Sequence, residues 1–221
     1  MSEESGRNSS SYKYSLADCD KAKEVHKMQI KQAEGIISIM SDYDKNQLTG
    51  LAERIAYNQR RLRLIFNRFT KEICPECSEC CCYNSGGYNK VGDFVIYMLL
   101  DRIREMPKPR FLYAEKITYS EDEHGVIHTD VHQTRRCSFL SDRGCRMPSD
   151  LRSVTCWGHI CSKLHNKFSK YPVAEQRVNN YKKNLNKLYD NFWKIMIKSQ
   201  KLYKKNNPNY KILDEYGFRS W

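Results

Sequence analysis

The chain has 221 residues, 40% of them hydrophobic and 29% charged, with ten Cys and a formal net charge of +12. That length predicts one domain with, at most, a helical extension. The longest apolar run, residues 94–100, is closed by Asp93 and Asp101 and falls far short of the roughly 18 residues that span a bilayer, which excludes a membrane-spanning helix.

Residues 1–14 are rich in Ser, Glu and Asn and read as a disordered lead-in. They contain no basic stretch leading into an apolar one and no small-residue cleavage site, so the expected location is cytoplasmic. Two helices are predicted over residues 15–72. The first covers 16–40 and ends at Ser41, Asp42 and Asp44. The second covers 45–71, where Leu48, Leu51, Ile55, Leu62, Ile65 and Phe69 recur at spacings of three, four and seven. Arg54, Arg60, Arg61, Arg63 and Arg68 fall mostly off that stripe and read as a solvated face.

A third helix is predicted to begin near Asp93 as its N-cap, with Val95, Leu99, Ile103 and Met106 on one face, and to be stopped by Pro107 and Pro109. Residues 111–113 and 117–119 read as extended. A turn at 121–125 and an alternating β-branched stretch at 126–131 complete a small β-hairpin. Gly144, Pro148 and Gly158 predict irregular backbone over 137–161, with one helical turn. A long amphipathic helix is predicted over 173–205, with Tyr181, Leu185, Leu188, Phe192, Ile195, Ser199 and Leu202 on its apolar face. Residues 176–211 carry ten Lys or Arg against Asp190 alone, +9 of the net +12. Residues 206–221 form an aromatic tail with Tyr210, Tyr216, Phe218 and Trp221.

Nine of the ten Cys lie within residues 74–161, leaving only Cys19 outside. A reducing compartment favours metal binding or redox chemistry over disulfides for such a density. Cys74, Cys77 and Cys80 are separated by two residues each, the spacing that lets one tight loop present three sulfurs to an iron-sulfur cluster. Cys74 and Cys77 alone equally suit a zinc knuckle. Cys80, Cys81 and Cys82 are consecutive, and adjacent side chains diverge by about 100–180°, so all three cannot reach one metal; Cys82 is the suspected spectator. Cys137, Cys145, Cys156 and Cys161 form a second block. The two blocks imply either two centres or one polynuclear centre.

Cys74-x2-Cys77-x2-Cys80-Cys81, then Cys137-Ser-Phe-Leu-x3-Gly144-Cys145, then Leu151-Arg152-Ser153-Val154-Thr155-Cys156 and Cys161, resembles the YkgJ-type CxxCxxCC family, for which zinc or iron chelation is proposed. The resemblance covers residues 74–161, and Ser153 and Trp157 depart from the Pro and Arg usual there. It implies metal binding, with a 4Fe-4S cluster favoured over zinc. One branch is similar to flagellin lysine-N-methylases, which implies a second reading: a transferase using S-adenosylmethionine on a lysine of a protein substrate.

Other candidates are weaker. His128, Asp130 and His132 would share a strand face, with His124 four residues before His128, a two-His-one-carboxylate pattern that a solvated strand face also produces. His159 sits inside the Cys156–Cys161 loop and is an auxiliary ligand candidate. Arg135, Arg136, Arg143 and Arg146 flank the downstream cysteines, where cations would lower thiolate pKa. The basic C-terminal helix is a candidate for binding nucleic acid or an anionic surface, which makes a zinc-stabilised nucleic-acid module a third reading. No Gly-rich phosphate loop or nucleophile elbow occurs. The expected fold is mainly α with a small β-hairpin, its helices surrounding an irregular Cys-rich metal-binding module at 73–165, in a single domain.

Overall fold

Ser41 divides the first helical stretch in two. Its hydroxyl accepts a hydrogen bond from the Asp44 amide at 3.1 Å and donates to the Asp44 carboxylate at 2.9 Å, satisfying a helix-start amide that has no partner inside the helix. Helix α1, Ala17–Ser38, precedes this cap and helix α2, Asp42–Ile73, follows it. Asp42 and Asp44 occupy the first turn of α2, where the helix dipole favours negative charge. The computed structural model describes residues 9–14, 17–73, 90–109, 113–121, 127–135, 139–141, 144–153, 156 and 162–208, and it is mainly helical.

Helix α3 spans Val91–Leu99. The Lys90 backbone N–H donates to Asp93 Oδ2 at 2.8 Å, so Asp93 is not the N-cap expected from sequence. It sits one turn inside and reaches back to the amide of the residue that is. The periodicity through Ile103 and Met106 also predicts a longer helix than the one observed. Asp101 has φ 54, its N–H donates to the Met98 carbonyl at 3.0 Å, and the Arg102 N–H donates to the Tyr97 carbonyl at 2.8 Å. These two bonds are a Schellman stop, with Asp in the left-handed position that glycine usually takes. Ile103–Glu105 forms only a single 3-10 turn.

Strands β2, Tyr113–Glu121, and β3, Ile127–Arg135, pair antiparallel, with Ile117 opposite Val131. Strand β1, Ser9–Tyr14, pairs with the other edge of β2. Residues 9–14, read from sequence as part of the lead-in, are therefore a strand. Its partner lies about a hundred residues away, so nothing in the local composition reveals it. Strands β4, Leu140–Ser141, and β5, Gly144–Cys145, form a two-residue ladder. A 3-10 turn at Ser149–Leu151, helix α4 at Ser162–Phe168 and helix α5 at Pro172–Asn206 complete the described chain. Pro172 opens α5, a position where a fixed φ and a missing N–H cost nothing.

Helices α2 and α5 run antiparallel. Phe69 meets Tyr171 with ring centroids 5.4 Å apart, Arg61 donates to the Tyr181 hydroxyl and Gln59 to the Tyr189 hydroxyl. Leu48, Ile55 and Leu62 of α2 and Leu185, Phe192 and Met196 of α5 are each no more than 1% exposed. Each such burial contributes roughly 1.5–3 kcal/mol. Ala33 and Ile36 of α1 and Phe94 and Val95 of α3 close the core. At the far end of α5 the apolar stripe shifts by one residue: Leu202 is exposed, while the Tyr203 ring lies where a Cβ on Gly35 of α1 would stand. Among the described residues no helix is long and apolar enough to cross a membrane.

Glycine also permits the close approach of α3 to α5, since a Cβ on Gly92 would lie 2.7 Å from Trp193 Cζ2. Gly92→Ala is expected to lower unfolding stability by about 1–2 kcal/mol, because displacing the indole costs more than better helix propensity returns. Asp101→Gly should raise it by about 0.5–1 kcal/mol by relieving the left-handed backbone. Urea denaturation followed by circular dichroism checks both signs.

Candidate metal centre

Of the expected ligands, Cys74, Cys77, Cys80, Cys81, Cys137 and Cys161 lie outside the described residues, as do Cys82, His124, His159, Arg136 and Arg143. Cys145 sits in β5 opposite Leu140, and Cys156 is exposed. His128, Asp130 and His132 occupy alternate positions of β3, opposite Ser120, Thr118 and Lys116, and Arg135 ends the strand opposite Tyr113. Among the described residues no three His, Cys, Asp or Glu side chains come together as a metal-ligand set. What the structure does describe is the set of elements that flank the two cysteine blocks and how they are held.

The Phe-Leu and Gly-Cys parts of the downstream block form the β4–β5 ladder, which the Arg146 N–H extends by donating to the Phe139 carbonyl at 2.9 Å. Phe139 is buried. Its ring lies 6.0 Å from the His26 ring of α1, which in turn meets Phe94 of α3 edge-on at 5.0 Å. Burial among those rings holds the His26 pKa below its ordinary value. Phe139 thus anchors the ladder in the helical core. Arg146, expected from sequence as a cation beside a thiolate, sends its guanidinium to the Lys108 carbonyl and braces the ladder against the segment that follows α3.

The next segment, the 3-10 turn and the residues after it, is buried: Ser149 and Asp150 are each 8% exposed, Leu151 0% and Ser153 1%. Backbone in that position leaves polar groups away from water, and these need partners. Helices α2 and α3, with Arg102 just beyond the end of α3, supply most of them. The Tyr97 hydroxyl of α3 donates to the Leu151 carbonyl. Gln59 of α2 donates from Nε2 to the Arg152 carbonyl at 2.7 Å and to the Tyr189 hydroxyl of α5 at 3.0 Å. Arg102, placed by the Schellman stop, donates from Nη1 to Asp150 Oδ2 at 2.7 Å, and its Nε and Nη2 hold Glu105 at 2.7 and 2.6 Å. Arg60 of α2 approaches the same Asp150 oxygen at 3.4 Å. The Cys156 N–H then donates to the Ser153 carbonyl at 2.9 Å, so Cys156 stands one turn beyond a fixed point.

Electrostatics follow from this arrangement. Burial pushes the Asp150 pKa up, but hydrogen bonds and charge from Arg102, with a smaller share from Arg60, outweigh it and leave the carboxyl below its ordinary 3.8. Glu105 is lowered by its hydrogen bonds to Arg102. The Tyr189 phenol is held well above its ordinary range, first by burial, then by the charges of Asp93 and Cys156. Sequence reading misses Gln59, Tyr97, Arg102, Asp150 and Tyr189. The signals that could have found them are a Gln at 59 inside the apolar side of the α2 stripe and a Ser-Asp pair after Pro148.

Because the folded-state pKa of Asp150 is depressed, its contribution is present above the unfolded value and lost as pH falls through the folded one. Asp150→Asn is expected to cost about 2 kcal/mol at pH 7, and the gap to the parent protein should shrink as pH drops below 3.8. Chemical denaturation across pH 2–7 measures it; a gap independent of pH would show that the Arg102 pairing carries no stability. No family model matches this chain, and neither a curated protein nor a solved structure matches it.

Proposed function

We propose that this chain binds metal through cysteine thiolates drawn from both blocks, as a four-iron, four-sulfur cluster in preference to zinc. The observation that carries this reading is the packing of the elements that bracket the cysteines. Phe69 stands five residues before Cys74 and Phe168 seven after Cys161, and their rings are 4.5 Å apart. Five residues extend at most about 18 Å and seven about 25 Å, so both blocks are tethered by short legs to one aromatic contact. The segment that leads to Cys156 is fastened to the same α2 helix by Gln59 and Arg60.

The donor set fits: soft thiols suit both iron-sulfur clusters and zinc, and the two-residue spacers of Cys74, Cys77 and Cys80 favour the former. One such cluster takes four of the thiolates, drawn from Cys74, Cys77, Cys80 and Cys81 on one side of the sequence and Cys137, Cys145, Cys156 and Cys161 on the other, and the remaining four would serve a second centre. A bound cluster supplies one-electron chemistry or a Lewis-acidic iron. The chain's own part is to fix the segment that leads to Cys156, through the clamp of hydrogen bonds on residues 150–152. The resemblance to the YkgJ-type family points the same way, on the cysteine spacing alone.

Anaerobic purification tests this reading. The expected product is brown, with broad visible absorbance from sulfur-to-iron charge transfer and iron and acid-labile sulfide in equal amounts. A colourless protein that retains zinc on gel filtration would replace the cluster with a structural zinc site, and a protein retaining neither metal would remove the reading altogether.

A further inference from the structure

The structure places a second basic surface beside the one legible in sequence, and it differs in kind. Residues 54–71 of α2 contain five arginines and a lysine and no acid; residues 177–205 of α5 contain nine cations against Asp190 alone. The antiparallel packing of the two helices puts these runs side by side. On α2, Arg54, Tyr57, Arg61, Leu64 and Arg68 recur at spacings of three and four and are all exposed, so they form one ridge. Tyr57 is 56% and Leu64 66% exposed. The three arginines are spread over about 21 Å of helix. Tyr181 of α5 fixes the middle one, its hydroxyl accepting from Arg61 Nε at 3.3 Å.

We propose that this ridge of α2 binds single-stranded nucleic acid, a function separate from metal binding. Arginines at regular intervals present planar forks suited to phosphates. The aromatic ring and the leucine between them offer flat apolar surface for base faces, which a single strand exposes and a duplex hides. A lipid surface fits less well. A helix lying on lipid needs a broad apolar face, and that of α2 is spent on the core, where Leu48, Ile55 and Leu62 are buried. The lysines of α5 raise the local potential and draw the strand in, while the α2 ridge holds it.

The test is fluorescence anisotropy of the full chain with a labelled oligouridylate about 16 nucleotides long, over a series of salt concentrations. Replacing Arg54, Arg61 and Arg68 together by Gln should weaken binding at least about tenfold and reduce the slope of log affinity against log salt by about 2, at roughly 0.7 for each phosphate no longer neutralised. Tyr57→Ala should weaken binding about tenfold with the slope unchanged. A charge-matched control, Lys194, Lys198 and Lys201 replaced by Gln on the outward face of α5, should remain within about threefold of the parent. Equal weakening by both triple variants, unchanged affinity in Tyr57→Ala, or tighter binding to phosphatidylserine vesicles than to the oligonucleotide would each overturn the assignment.

Discussion

Arg102 and Asp150 hold together what the rest of the molecule needs kept in place. Residues 149–153, a 3-10 turn and the two residues after it, are mostly buried against α2 and α3, where buried polar groups need partners. Arg102 pairs with the Asp150 carboxylate at 2.7 Å, and the contact exists only because α3 stops where it does. A helix that ran on through Met106 would carry Arg102 along its own axis. The left-handed residue at Asp101 instead turns the chain, so that the following guanidinium meets both Glu105 and Asp150. A local backbone cost of about 1 kcal/mol is thus exchanged for a charged anchor inside the fold.

Around that anchor the helices play distinct parts. The pair α2 and α5 supplies half of the buried hydrophobic residues and faces two ways: Gln59 reaches the segment that leads to Cys156 and the Tyr189 hydroxyl, and Arg54, Arg61 and Arg68 are exposed. Helix α3 is short and almost wholly buried, and it contributes both Tyr97 and the stop. Helix α1 covers the other side and receives Phe139 through His26. The segments that flank the downstream cysteines are therefore attached to the helical body at several separate points.

The parts legible in sequence are those governed by short-range periodicity. The α2 and α5 stripes are readable because Leu48 to Phe69 and Tyr181 to Ser199 repeat at helical spacing over many turns. Helix ends are less so: Asp93 has the chemistry of an N-cap but works from one turn inside, and Asp101 takes a conformation that its side chain does not announce. Strand β1 is invisible in sequence because its stability comes from β2, far along the chain. The clamp is invisible for the same reason, since Gln59, Arg102 and Asp150 are ordinary polar residues until folding brings them together. The cysteine spacing is plain in the chain itself, and sequence carries more of the metal reading than the fold does.

If the two cysteine blocks share one metal environment, X-ray absorption at the metal edge of the anaerobically purified protein reads it most directly. The parent is compared with Cys77→Ser and Cys156→Ser, one substitution from each block. A shared centre predicts a first shell of sulfur in the parent and, in both variants, loss of metal or replacement of one sulfur by oxygen. An unchanged sulfur shell at full metal content in either variant would contradict it, because that block would then contribute nothing to the centre.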